Sequence, residues 1–183
     1  MNQVSAVEAG GARRAAVVLG LSVIVGVVGA ALWVWWAEPA HWQVLQGRMV
    51  MTEYDSRAVF PIMLRFAAIG AGMSLALGVV GHALLRVDWL DTVLLAAGAV
   101  VASLVAWRLG ILLGPPDPTT LSGLTEGDVI EDQLAIGSVV PFFAWPIGAL
   151  AGVLIASLFD RDRSDQDGRA ISATVASVDE IRS

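Results

Sequence analysis

Four long apolar segments constrain the fold of this chain more than any other feature of its sequence. A helix needs about 20 mainly apolar residues to cross the hydrocarbon core of a bilayer. Segments of that length run over residues 15–37, 62–85, 92–113 and 138–159. The chain of 183 residues is 56% apolar and only 15% charged, whereas about a quarter of the residues in soluble domains are charged. We therefore predict an all-α membrane protein with four transmembrane helices.

Arginines that flank these segments predict how the chain is threaded. Short cytoplasmic flanks of membrane proteins are enriched in Lys and Arg. With a cytoplasmic amino terminus, the inside flanks hold Arg13, Arg14, Arg86, Arg161, Arg163 and Arg169, and the outside loops hold Arg48 and Arg57. We therefore predict a multi-pass plasma-membrane protein with both termini cytoplasmic. These termini are residues 1–14 and a mostly disordered tail over residues 160–183.

The predicted membrane domain, residues 15–159, has two outer loops over residues 38–61 and 114–137. In the first loop, apolar residues alternate on both sides of Gln46-Gly47-Arg48, which favours a short β-hairpin. A single hairpin is only marginally stable in water, so we expect it to rest on the second loop. That loop contains a candidate strand or short interfacial helix over residues 129–136. The two loops are therefore predicted to form a small outer cap.

The ends of the segments give further expectations about packing. The connection over residues 86–91 is short, so we expect the second and third helices to be antiparallel neighbours. Pro141 and Pro146 remove backbone donors and predict a kink or irregularity in the fourth helix. Tryptophan favours the membrane interface. The candidates for the outer interface are Trp33, Trp35, Trp36 and Trp107, and the candidate for the inner interface is Trp89.

Small residues recur at four-residue spacing in three of the segments. These stripes are Ser22, Gly26 and Ala30; Gly70, Ser74 and Gly78; and Gly148, Gly152 and Ala156. Small residues let helix backbones approach closely in lipid. We expect them to pack the four helices of one chain together, and the alternative is a face for a second copy or a partner.

Arg65 and Arg108 are the most informative polar residues because a charge inside a membrane segment is costly. Both lie near the predicted outer ends of their segments, so their guanidinium groups can reach the outer headgroups. The functional alternative is a shared site beneath the acidic second loop. There the two arginines would pair with Glu38 or Asp117 or bind an anionic lipid headgroup through bidentate phosphate contacts.

The sequence lacks the motifs that most catalytic and metal sites require. It contains no Cys, and a metal site normally needs three or four converging ligands. Its histidines, His41 and His82, are expected on opposite sides of the membrane. It has no nucleophile elbow, phosphate-binding glycine loop or dinucleotide fingerprint, and a net charge of −6 disfavours nucleic-acid binding. We therefore expect no metal, no cofactor, no nucleic-acid partner and no enzymatic activity; an enzyme would have to use outer-loop carboxylates whose spacing selects no acid–base pair.

The order of aromatic and proline motifs adds a resemblance. The first segment ends in Leu-Trp-Val-Trp-Trp-Ala-Glu-Pro, residues 32–39. The third ends in Ala-Trp-Arg-Leu-Gly-Ile-Leu-Leu-Gly-Pro-Pro-Asp-Pro, residues 106–118, and the fourth contains Phe-Phe-Ala-Trp-Pro-Ile-Gly-Ala-Leu, residues 142–150. Over residues 13–160, this order resembles a family of small four-span membrane proteins of actinobacteria, described as a domain of unknown function. The resemblance implies location and threading, and it transfers no catalytic residue.

Two functional hypotheses follow. The first is a non-enzymatic accessory or scaffold subunit of a cell-envelope assembly, in contact with the lipid bilayer and with a membrane-protein partner or a second copy of the chain. The alternative is a lipid- or small-molecule-binding transport component. In this alternative, Arg65 and Arg108 would bind an anionic group at the outer leaflet.

Overall fold

Four long helices make up most of the structure, a computed structural model that describes residues 2–46, 48–51, 53–85 and 89–182. The helices are α1 (Asn2–Trp36), α2 (Glu53–Leu85), α3 (Trp89–Leu113) and α4 (Val140–Arg182). Each contains an apolar segment long enough to cross a membrane, namely Gly10–Trp36, Phe60–Leu85, Trp89–Leu113 and Val140–Arg161. The prediction of four helices able to span a membrane is therefore confirmed.

A small antiparallel sheet lies at one end of the helices, which we call the sheet end. Its strands are β1 (His41–Leu45), β2 (Arg48–Met51) and β3 (Val129–Glu131), in the order β2-β1-β3. Gln43 of β1 is paired with Val50 of β2 on one side and with Val129 of β3 on the other. The predicted hairpin and its support by the second loop are confirmed. The fold is therefore mostly helical with a three-stranded sheet, and the all-α assignment was too simple.

Two aspartates shape the loop that contains β3. Asp117 accepts hydrogen bonds from the hydroxyl and the amide of Thr119 at 2.7 and 2.8 Å, and Asp128 accepts one from the amide of Thr125 at 2.8 Å. These hydrogen bonds, from the Thr119 hydroxyl and from the Thr125 amide above all, lower the pKa of both carboxyl groups. A lowered pKa stabilises the folded state above the ordinary carboxyl pKa, and that contribution is lost as pH falls through the lowered value.

The helices form a four-helix bundle. In this bundle α1 packs beside α3 and α2, and α4 packs beside α2 and α3. Helices α2 and α3 are diagonal and make few contacts, one of them where the Leu95 side chain packs over Gly81. Because chain direction alternates, the closely packed pairs α1/α3 and α2/α4 are each parallel. The expectation that α2 and α3 are neighbours is therefore wrong. A short connection limits the distance between two helix ends, whereas glycine faces on other helix pairs decide which backbones meet.

Helices α2 and α4 are longer than the apolar segments of the sequence. Helix α2 begins at Glu53 and contains Pro61, so it takes in part of the predicted first loop. A proline removes one helical amide without ending every helix that contains it. Helix α4 continues to Arg182 through the segment expected to be a mostly disordered tail. Residues 160–182 contain no proline and a single glycine, Gly168, so the segment lacks a strong helix stop.

An aromatic cluster fills the bundle near the sheet end. The Phe66 ring of α2 lies 5.0 Å from Trp33, 5.3 Å from Phe142 and 5.5 Å from Trp145, measured between ring centroids. Trp33 and Trp145 are fully buried. Trp33 therefore faces the core and not the membrane interface, because Gly110 on α3 leaves room for its ring. Of its expected interface neighbours, Trp35 is exposed, at 83%.

Candidate functional site

Glycines allow α2 and α4 to approach at backbone distance. A Cβ atom at Gly78 of α2 would overlap the carbonyl oxygen of Ala149 on α4. A Cβ at Gly148 would overlap the carbonyl oxygen of Ala71, and one at Gly152 would overlap another backbone carbonyl of α2. This pair of helices therefore depends on glycine from both sides, as small-residue packing in lipid requires.

The remaining predicted packing residues also lie at contacts within the chain. A Cβ at Gly26 of α1 would lie 2.7 Å from the carbonyl oxygen of Ala102 on α3, and one at Gly70 would overlap the Trp145 indole. Ser74 is fully buried, and its Oγ has no hydrogen-bond partner among the described residues. The small-residue stripes therefore serve packing inside one bundle.

Arg65 and Glu38 form the ion pair considered in the sequence analysis. Nη2 of Arg65 donates a hydrogen bond to Oε2 of Glu38 at 2.8 Å. The Arg65 side chain is 21% exposed and the Glu38 side chain is 84% exposed. An exposed pair of this kind contributes at most about 1 kcal/mol to stability. It joins the segment after α1 to α2, and it leaves the Arg65 guanidinium already paired.

Arg108 and Asp117 do not join this pair. The Asp117 carboxylate is engaged by Thr119. The Arg108 guanidinium carbon lies 4.5 Å from the centroid of the Trp107 ring, in a cation–π contact. The structure therefore brings together Arg65 and Glu38 but does not assemble the four-residue site that was considered for the outer cap.

The structure instead contains an apolar pocket between α3 and α4 at the sheet end. Its volume is about 530 Å³, within the range of about 300–1,000 Å³ typical of ligand pockets. Residues 100–107 of α3, residues 142–146 of α4 and the segment 136–139 before α4 contribute its lining. Leu104, Val139 and Phe143 belong to this lining and are exposed, so the pocket opens on the outer surface of the bundle.

Polar groups in this pocket are few. Oγ of Ser103 donates to the carbonyl oxygen of Val100 at 2.7 Å, and Oγ of Ser138 accepts from the amide of Val140 at 3.2 Å. Nε1 of Trp107 is buried and has no hydrogen-bond partner within the described ranges. The described lining contains no His, Asp, Glu, Lys or Arg. Such a pocket suits an apolar chain better than a polar substrate.

Sequence reasoning missed this pocket and found only one signal near it. Pro146, which lines the pocket, had indicated an irregular fourth helix, because its missing amide leaves the carbonyl of Phe142 without the usual helical donor. Trp107 was assigned to the membrane interface, but its ring lines the pocket and packs edge-on against Phe142 at 5.8 Å. The remaining lining comes from two helices and a loop. No local sequence pattern predicts that these three elements come together.

An ion pair and a histidine–carboxylate contact lie at the opposite end of the bundle. Nη1 of Arg14 on α1 lies 3.1 Å from Oδ2 of Asp91 at the start of α3. Nε2 of His82 on α2 lies 2.9 Å from Oδ2 of Asp160 on α4. Each contact joins a closely packed pair of parallel helices, α1 with α3 and α2 with α4, so these polar side chains help to hold the bundle together.

Comparison with protein-family models, curated protein sequences and solved structures finds no match to this chain. The resemblance to the actinobacterial family therefore stays a prediction. The four apolar helices remain the basis for treating the chain as a membrane protein.

Proposed function

We propose that this protein is a non-enzymatic membrane protein that holds an acyl chain of a bilayer lipid in the pocket between α3 and α4. The observation that carries this proposal is the apolar pocket of about 530 Å³ on the outer surface of two helices able to span a membrane. In a bilayer, that surface faces lipid tails. A lipid chain can therefore enter sideways without leaving the hydrocarbon region.

The chemistry of the lining supports binding without catalysis. General acid–base catalysis needs a titratable side chain within hydrogen-bond reach of the reacting group. The described lining supplies two serine hydroxyls and one indole N–H as its polar side-chain groups. Ser103 is engaged with a backbone carbonyl of its own helix, and no base lies beside it in the described lining.

A bulky side chain at Leu104 tests the proposal. Leu104 lines the pocket on α3, so we expect Leu104→Trp to fill part of the volume and to remove most of the lipid that co-purifies with the protein. Native mass spectrometry of the detergent-solubilised chain measures the retained lipid. Leu112→Trp is the matched control, because Leu112 is exposed on the same helix and is not among the residues that line the pocket. Equal lipid retention by the two variants would contradict the proposal.

The proposed setting is the plasma membrane, with both termini cytoplasmic and the sheet end outside. The distribution of flanking arginines supports this orientation. Because the chain has no cysteine, single exposed cysteines can report it. We expect a membrane-impermeant maleimide to label Ser122→Cys at the sheet end in intact cells. Ala12→Cys on α1 should react only after permeabilisation, and the reverse pattern would show the opposite orientation.

The accessory or scaffold role remains a second proposal. The described sheet leaves β2 and β3 each paired on one side only, and open strand edges can pair with a partner strand. Purification in mild detergent tests this role directly. A defined protein partner retained in constant ratio would support it, and a homogeneous monomer without a partner would count against it.

A further inference from the structure

Arg108 lies beside the apolar pocket, although it is not among the residues that line it. It follows Trp107, which lines the pocket, and its guanidinium carbon lies 4.5 Å from the centroid of that ring. Arg108 is exposed, and Leu113, the last residue of α3, is five positions further along the helix. At 1.5 Å per residue, this places its backbone about 8 Å from the helix end. A long side chain bridges much of that distance to the headgroup region.

The charge of Arg108 is not neutralised within the described part of the chain. Arg65, the other arginine considered for the outer site, lies 2.8 Å from the Glu38 carboxylate. Among the described residues, the Arg108 guanidinium contacts the Trp107 ring and no carboxylate. An arginine in a membrane segment is costly unless it meets an anion or water. Its five donors in a planar fork match the oxygens of a phosphate.

The start of α4 borders the same pocket but offers little to an anion. The amide of Val140 already donates to Ser138 Oγ, and the amide of Phe142 donates to the carbonyl oxygen of Val139 at 3.2 Å. Pro141, between them, has no amide hydrogen. The amides of the first three residues of this helix are therefore used or absent, which leaves the Arg108 guanidinium as the better candidate, among the described residues, to bind a headgroup.

We propose that the lipid in this pocket is a phospholipid whose phosphate is bound by Arg108 while one acyl chain lies between α3 and α4. This inference rests on the proposed lipid-binding function and specifies the headgroup chemistry. The phosphate is the recognised group, and the apolar pocket fixes the source as a bilayer lipid. In this proposal the guanidinium stays over the Trp107 ring, and its N–H groups donate two parallel hydrogen bonds to the phosphate.

The test compares two lipids that share their acyl chains. Delipidated full-length protein is titrated with dioleoyl phosphatidylglycerol or dioleoylglycerol, and binding is measured by native mass spectrometry. We expect the wild type to bind the phospholipid about tenfold more tightly or better, the effect of charge-assisted hydrogen bonds. Arg108→Gln should remove that preference and keep binding of dioleoylglycerol, whereas Arg108→Lys should keep part of the preference.

Arg65→Gln is the matched control. Because Arg65 is already paired with Glu38, this substitution should leave the preference for the phospholipid unchanged. Equal binding of the two lipids by the wild type, or an unchanged preference in Arg108→Gln, would overturn the headgroup inference while leaving the acyl-chain pocket in place. Failure of both lipids to bind, or unchanged binding in Leu104→Trp, would instead overturn the pocket itself. Inorganic phosphate should not displace the phospholipid, and displacement by it would identify a soluble-anion site and overturn the lipid assignment.

Discussion

Replacement of Trp145 by alanine is expected to destabilise the bundle by about 3–5 kcal/mol, the usual cost of truncating a large buried aromatic side chain. Trp145 is fully buried. Its indole lies over Gly29 of α1 and Gly70 of α2, and its ring centroid is 5.5 Å from that of Phe66. Helices in lipid are held together mainly by close packing, so the cavity removes contacts with both α1 and α2 at once. Denaturant titration of the solubilised protein, followed by helical circular dichroism, measures the loss.

Two further variants make this prediction specific. Trp145→Phe keeps most of the ring contacts and removes an indole N–H that has no hydrogen-bond partner in the described part of the chain, so it should lose much less stability. Trp35→Ala removes the same side chain from an exposed position on α1 and should have little effect on unfolding. A Trp145→Ala variant as stable as Trp35→Ala would show that Trp145 is not an element of the core.

Gly78→Ala is expected to destabilise the α2–α4 contact by about 1–3 kcal/mol, the typical cost of overpacking. The added Cβ would overlap the carbonyl oxygen of Ala149. That oxygen belongs to a helix backbone, so it cannot rotate away as a side chain would. The two helices would have to separate, which also weakens the neighbouring contacts at Gly148 and Gly152. The same unfolding experiment measures this effect.

Gly72→Ala provides the matched control for Gly78→Ala. Gly72 lies on the same helix, and a Cβ there meets nothing within 4 Å. Alanine favours a helix over glycine by up to about 1 kcal/mol, so Gly72→Ala should be neutral or stabilising. Equal behaviour of the two variants would mean that the helix contact at Gly78 is looser than its geometry indicates.

The apolar segments and the hairpin could be predicted because each is encoded locally. A membrane-spanning helix needs only a sufficient run of apolar residues, and a hairpin needs alternation around a turn. The α4 extension to Arg182 was not predicted, because its composition is polar and a polar composition alone does not distinguish a helix from a disordered tail.

The candidate site was predicted only in part. Arg65 and Glu38 do pair, since Glu38 closely follows the end of α1 and Arg65 lies near the start of the apolar part of α2. Asp117 was assigned to an arginine but binds Thr119, two residues away, at 2.7 and 2.8 Å. A residue so close along the chain is always within hydrogen-bonding reach. The sequence alone does not show whether Asp117 will bind Thr119 or an arginine.

The sequence by itself determined the number, length and approximate limits of the membrane segments, and the hairpin between the first two. Only the tertiary structure decided which helices are neighbours, which arginine is already paired and where a pocket opens. The physical reason is that hydrophobic length is a property of each segment alone. Small-residue stripes, by contrast, occur on α1, α2 and α4, and their sequence does not show which helix each stripe packs against. The pocket beside Trp107 and Arg108 forms only when α3, α4 and the intervening loop pack together.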